Sequence, residues 1–342
     1  MPGLLVLLLG VALGPHGVEL LSPNVLSFLD PAMPVALVAL GVLIGLDAGG
    51  RSPGDGRLAA AASAEAGLTT AVVAAGMLLV APAWSTSEGL PYWFLALVIG
   101  ICAGSSSTLA PTGRADASAV ERIGELDGLL PIVLGGLALA LLRDPSPAAA
   151  LLLAGQACAV ALVIVVAGWL LLSRSSSETE QRVFAIALLL LLGGAADYLA
   201  QSALLSGLMA GVFLERAGGP AREYVRRDVR HVQHPLLVLV LVVTGARVDV
   251  PSAWLVFGAA YLFLRTAGKL AGGWMARRIA AGDVPRDVGL LLVSPDILGI
   301  AFALNVLRAA GPDAAPALAV VAFGAIGSDV IAALVRPREG VA

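Results

Sequence analysis

Twelve apolar runs, each ended by glycine, proline or charge, divide this chain from end to end: 2–14, 33–48, 58–82, 91–112, 125–142, 147–173, 182–196, 199–214, 232–246, 251–276, 287–308 and 313–335. About 20 apolar residues cross a bilayer as a helix. Backbone placed in hydrocarbon must satisfy its own hydrogen bonds, so runs of this length predict helices. Only 13% of the 342 residues are charged, against roughly a quarter in a soluble domain. The segment Met1–Gly14 lacks the positively charged start of a signal peptide and is expected to be a short first span.

The arginines test the count. Even-numbered connections hold sixteen of them, at 51, 57, 114, 122, 174, 182, 216, 222, 226, 227, 230, 277, 278, 286, 336 and 338. Odd-numbered connections hold three, Arg143, Arg247 and Arg308. A miscounted span would scramble this alternation. The positive-inside rule then predicts a multi-pass protein of the plasma (bacterial inner) membrane with both termini in the cytoplasm.

Local echoes recur seven spans apart. Leu9–Gly14 in span 1 resembles Leu205–Gly211 in span 8; Gly45-Leu-Asp47 ending span 2 resembles Gly245–Asp249 ending span 9; Gly124–Asp127 opening span 5 resembles Gly327-Ser-Asp329 in span 12. An odd offset inverts the second copy, the arrangement of many secondary transporters. The expected division is 1–142 as the first repeat, 143–196 as linking helices and 197–342 as the second repeat, all in one transporter domain. Spans 4 and 11 carry Gly104-Ser-Ser-Ser-Thr108-Leu-Ala-Pro111 and Val293-Ser-Pro-Asp296-Ile-Leu-Gly299. Proline removes a helical hydrogen bond and glycine weakens the helix, so both spans are expected to unwind where they line a polar cavity.

Two ionisable residues lie inside apolar segments, and such residues are functional by default. Asp127 follows Gly124-Glu125-Leu126, and Lys269 is the only lysine in the chain. A carboxylate is costly to hold charged in such a setting unless it binds a proton or a small cation. The bland alternative for Asp127 is a helix end in interfacial water, with Arg122 and Glu125 beside it. Lys269 lies eight residues before Arg277, about 12 Å along a helix, so snorkelling competes with function. Arg265 shares the face of Lys269 one turn earlier. Glu125, two residues before Asp127, points elsewhere on a helix and suits an interfacial charge at the mouth. Ser107, Thr108 and Ser294 are candidate ion-lining hydroxyls, although small hydroxyl residues also mediate plain helix packing. Asp296, at a break, is the stronger of the remaining deep acids and Asp329 the weaker. Glu65 and Asp197 read as ordinary acids near span ends.

The chain resembles the membrane domain of bacterial monovalent cation:proton antiporters, the group containing Kef-type and NapA-type proteins. Gly14-Pro15-His16-Gly17 is similar to the family's GPxG, Leu43-Ile-Gly-Leu-Asp47 to its FLIGLELD run and Ser106-Ser107-Thr108 to the SST of its broken fourth helix. Ser294-Pro295 with Ala301-Phe302 resembles the SPRGEFAF of the broken eleventh, and Gly268-Lys269 fits the GK of the tenth. The resemblance implies an all-α polytopic membrane protein of about twelve transmembrane helices. It would be a five-helix inverted repeat with two broken helices, as in NhaA and NapA, working as a homodimer by alternating access. It also implies that Asp127 matches the essential acid, Thr108 the ion-lining hydroxyl and Lys269 the basic residue of helix ten. Leu126 stands where electrogenic members carry a second Asp, and Asp296 stands where Arg is usual. One carboxylate in place of two leads to an expected exchange of one cation for one proton.

The expected activity is exchange of Na+ or K+ for protons, with the bilayer, the cation and the proton as partners. A channel-like K+ efflux protein, a symporter of organic anions and a non-transporting membrane sensor on the same scaffold are the alternatives. No HExxH, CxxC, Walker or GxGxxG pattern occurs, so no cofactor, resident metal or nucleic-acid partner is implied. Cys102 and Cys158 both fall in apolar runs and suggest no disulfide. An intramembrane aspartyl protease pairing Asp127 with Asp329 would be expected to show GxGD, which is missing. No enzymatic activity is expected.

Overall fold

The computed structural model describes residues 2–15, 17–50, 55–80, 89–108, 117–175, 177–249, 254–280 and 284–335. His16, Pro111, Arg51, Arg114, Arg336 and Arg338 lie outside them. Among the described residues the chain is helical and has no strand. The helices of the first half are α1 (Pro2–Leu13), α2 (Pro23–Leu29), α3 (Ala32–Gly49), α4 (Asp55–Val80), α5 (Tyr92–Gly104), α6 (Ala117–Leu126) and α7 (Leu129–Arg143). Two long helices follow, α8 (Pro147–Arg174) and α9 (Glu178–Tyr198). The second half holds α10 (Ala203–Ala217), α11 (Gly219–Arg247), α12 (Trp254–Ile279), α13 (Val288–Leu291), α14 (Ile297–Ala310) and α15 (Ala315–Val335). Seven stretches are long and apolar enough to cross a membrane, and shorter or broken helices complete the twelve expected spans.

Span 11 breaks between α13 and α14, and span 4 leaves its helix at Gly104 to run extended. The two unwound segments cross as an isolated antiparallel bridge between Ser106 and Pro295, in which Ser107 N–H donates to Ser294 O at 3.0 Å. Three boundaries differ from expectation. Span 5 begins at Ala117, because the polar residues before Gly124 already form α6, and Asp127 therefore lies mid-span. The arginine-rich stretch 222–230 is helical and continuous with span 9, so His231 and His234 sit inside α11. The short α2, capped by Ser22, was not expected.

Packing follows the seven-span offset. α3 of span 2 packs on α10 of span 8, and α1 of span 1 packs on α11 of span 9. An exchange of 1 with 8 and 2 with 9 turns one pair into the other. Both contacts are backbone against backbone: a methyl added at Gly207 would fall 2.2 Å from Val38 O, and one at Gly245 would fall 2.2 Å from Leu7 O. Small residues permit this approach, which stands in for a hydrophobic driving force inside lipid. Two bundles result. α1, α3 and α8–α11 form one; α4–α7 and α12–α15 form the other, and the crossing lies inside the second.

The charges sort to the two ends of α3. At its C-terminal end Arg122 donates to Asp47 O (3.0 Å) and Gly50 O (2.7 Å), Arg226 donates to Leu46 O (3.1 Å), and Arg230 pairs with the Asp47 carboxylate (3.1 Å). Cations here complement the negative end of the helix dipole. Near its N-terminal end Arg247 pairs with the Asp30 carboxylate. Arg308 there bonds Asp30 O and pairs with Asp197 at 2.7 Å. The even- and odd-connection arginines thus occupy opposite ends of the same helix.

Candidate functional site

The site starts from three local causes. In span 5, Pro131 has no N–H to give the carbonyl four residues earlier, which is that of Asp127. α6 closes with Asp127 N–H on Ile123 O (2.9 Å), a turn follows at Asp127-Gly128, and α7 restarts. In span 4, the helix ends at Gly104 and frees the backbone groups of Ser105–Ser107. On α12, Gly268 and Gly272 bring that helix close to α4: a methyl at Gly272 would lie 2.8 Å from Glu65 O. This approach carries Lys269 to the middle of the second bundle.

Asp127, Lys269 and Glu65 are all fully buried. The Asp127 carboxylate accepts from Ser106 N–H at 3.3 Å and from the Ser106 hydroxyl. Lys269 Nζ lies 3.5 Å from Asp127 Oδ2. The ammonium donates to Gly104 O (2.7 Å), to Glu65 Oε2 (3.1 Å) and to Ser106 Oγ (3.2 Å). Thr69 donates to Glu65 Oε1 at 3.1 Å. Ser106 therefore joins the lysine to the aspartate: its oxygen accepts from one and its proton goes to the other. Buried charges are tolerated when paired and hydrogen-bonded in this way.

A second layer holds the crossing. Arg265, also buried, donates to Ser105 O (3.0 Å), Val293 O and Ser328 Oγ (3.1 Å). It ties both unwound segments to α15. The Ser107 hydroxyl lies 2.9 Å from Ser294 Oγ and 3.1 Å from Pro295 O, and Ser294 donates to Asp329 Oδ1 at 3.2 Å. Asp296 accepts from Ile297 N–H at 2.7 Å and caps α14. Removal of a capping acid at a helix start typically costs about 1 kcal/mol.

The structure thus gathers Asp127, Lys269, Ser107, Ser294, Arg265 and Asp329 at one crossing. Thr108 places its methyl group over Gly124, where an added methyl would meet it at 2.4 Å. The hydroxyl on the Asp127 carboxylate belongs to Ser106 instead. Glu125 is exposed and paired with Arg122 at 2.9 Å, at the edge of the second bundle. Glu65 is the residue that sequence reasoning missed. It was placed near a span end, yet it is the eleventh residue of α4 and lies well inside that helix. Its depth, with Thr69 one turn on and alanines around it, was the available signal. Among the described residues, no three His, Cys, Asp or Glu side chains cluster as a resident metal site would require.

These features define a helical membrane fold of the inverted-repeat kind, with two broken helices crossed beside a buried acid and base. No family model and no curated protein matches the chain. Among solved structures the chain is similar to the sodium proton antiporter MjNhaP1 from Methanocaldococcus jannaschii, with a TM-score of 0.67 and 17% identity over 98% of this chain and 90% of that one. The chain has the fold of that protein.

Proposed function

We infer that this chain is a secondary transporter that exchanges a monovalent cation, Na+ or K+, for protons, with Asp127 as the carrier. The observation that supports the reading most directly is the placement of Asp127. A buried carboxylate sits inside the apolar stretch Ser118–Arg143, beside a lysine, where two unwound segments cross. Unwound carbonyls and helix ends offer the oxygen ligands and dipoles that a small cation needs after shedding water. The MjNhaP1 likeness supports the same reading, since that protein is a sodium proton antiporter.

In this reading Asp127 holds either a proton or the cation, never both. Binding one releases the other to the same side. Ser106 keeps the carboxylate oriented, Ser107 and Ser294 line the crossing, and Arg265 fixes the crossing in place. Alternating access would come from movement of the second bundle against the first. The protein is proposed to work as a homodimer in the plasma membrane, with the Arg122 end of α3 and both termini facing the cytoplasm.

Fluorescence dequenching in everted vesicles tests the reading, with Na+, K+ and Li+ added in turn and Asp127→Asn as control. Cation-triggered dequenching that vanishes in the variant is expected. The absence of response to all three cations, or full activity in Asp127→Asn, would refute it.

A further inference from the structure

We propose that Arg122 and Arg308 are opposing clamps between the two bundles. Each holds one end of the seam shut, and release of either selects the side from which Asp127 is reached. These roles rest on the reading of alternating access and extend it to the residues that set the balance between its two states.

Hydrogen bonds from the second bundle to the first occur at both ends of α3. At the C-terminal end, Arg122 of α6 donates to Asp47 O at 3.0 Å and to Gly50 O at 2.7 Å. At the other end, Arg308 of α14 pairs with Asp197 of α9 at 2.7 Å and bonds Asp30 O, two residues before α3. Asn305, one turn earlier on α14, donates to Ser202 Oγ at 3.4 Å, and Arg143 of α7 bonds Leu199 O. Three side chains of the second bundle thus grip the α9–α10 corner. Between the ends the contact is apolar: a methyl at Gly136 of α7 would fall 2.4 Å from Leu205 of α10. Apolar contact is non-directional and tolerates sliding, whereas a hydrogen bond weakens steeply once misaligned.

The repeat makes the two arginines a matched pair. Connections 4 and 11 correspond under the seven-span offset; Arg122 lies in the first, and Arg308 ends span 11 at the second. Inversion places such positions on opposite faces. Arg308 also lines a cavity of about 570 Å³ that opens to the surface, with Ala246 and Arg247 of one bundle facing Leu307 and Ala315 of the other. At this end the seam is bridged beside the α9–α10 corner and already parted beside α11. A contact made in one state only weights that state by its own free energy. Both clamps are formed here, so a move to either side must break one. Arg308 opposes opening at its own end, and Arg122 opposes opening at the other.

Distances between spin labels in nanodiscs read the two ends separately and need no transport. In a Cys102→Ala/Cys158→Ala background, one labelled pair is Tyr198→Cys/Asp313→Cys, at the Arg308 end. The other is Glu121→Cys/Glu223→Cys, at the Arg122 end; all four positions are exposed. Arg308→Gln is expected to raise the share of long 198–313 distances roughly threefold to tenfold, the scale of a partly exposed charged contact. The 121–223 pair should stay short. Arg122→Gln is expected to do the opposite. Asp197→Asn removes the same ion pair from the first bundle and is expected to reproduce Arg308→Gln, which keeps the test open if the arginine variant misfolds. Lengthening of the same pair by Arg122→Gln and Arg308→Gln, or of neither pair by either, overturns the clamps. Wild type recorded with and without Na+ at high and low pH separates the two readings. Ends that respond there, beside variants that match wild type, defeat the clamps alone; ends that stay fixed in every sample defeat the bundle movement as well.

Discussion

Replacing Arg265 by methionine tests what holds the crossing together. The guanidinium donates to Ser105 O, Val293 O and Ser328 Oγ, and it is about 1% exposed. Hydrogen bonds from a charged donor are worth roughly 1.5–3 kcal/mol each. Removal of the cation returns several kcal/mol of desolvation, so the three bonds cannot simply be added. The two carbonyls are left without their donor in a buried site, and this decides the sign. A net loss of about 3–5 kcal/mol is expected, the range for breaking a buried charged contact from one side. At roughly 2 °C per kcal/mol for a chain of this size, the purified protein in detergent should melt roughly 6–10 °C lower. Arg265→Lys keeps the charge but cannot fork to two segments, so it should recover only a minor part of the loss. A melting temperature within about 2 °C of wild type for Arg265→Met would refute the idea that this residue ties the segments together.

Ser106→Ala removes the hydroxyl that links Lys269 to Asp127, and exchange should fall by roughly tenfold or more, the scale of one lost charge-assisted hydrogen bond; unchanged transport rates in proteoliposomes would contradict the link. Because one carboxylate holds either a proton or the cation, apparent cation affinity should weaken about tenfold for each unit that pH falls below the carboxyl's own pKa and level off above it. A cation KM independent of pH across the whole working range would count against competition at Asp127. Gly207→Leu must push α3 and α10 apart, since even a methyl there would sit 2.2 Å from Val38 O. Overpacking of this kind costs typically about 1–3 kcal/mol or more, so a clear drop in folded yield on size exclusion is expected.

The arrangement of arginines and apolar runs made the spans legible, because hydrocarbon forces backbone into helices and each connection must face one side or the other. The seven-span echoes were legible for a related reason. Gly207 and Gly245 mark places where two backbones touch, and inverted repetition places such contacts in pairs. The breaks were visible in Pro295 and in the Gly104–Thr108 run, since loss of helical hydrogen bonding is a local property. Partnership was the part the sequence hid. Which serine of Ser105–Ser106–Ser107 meets Asp127 depends on the extended path after Gly104, where neighbours point to opposite sides, and a single-residue shift changes the answer. Glu65 was hidden for a different reason. Its companion Lys269 is 204 residues away, and nothing near Glu65 in the sequence requires a base. Only the contact of α4 with α12 at Gly268 and Gly272 brings them together. With that contact, Leu126 beside Asp127 takes on a structural meaning: it is buried in an apolar cluster with Ile123 and Leu292, so the position next to the carrier serves packing. The second carboxylate of the site comes from another helix and is held by the lysine. A one-carboxylate reading of span 5 and a two-carboxylate site are therefore compatible, because the second acid reaches the crossing through the lysine.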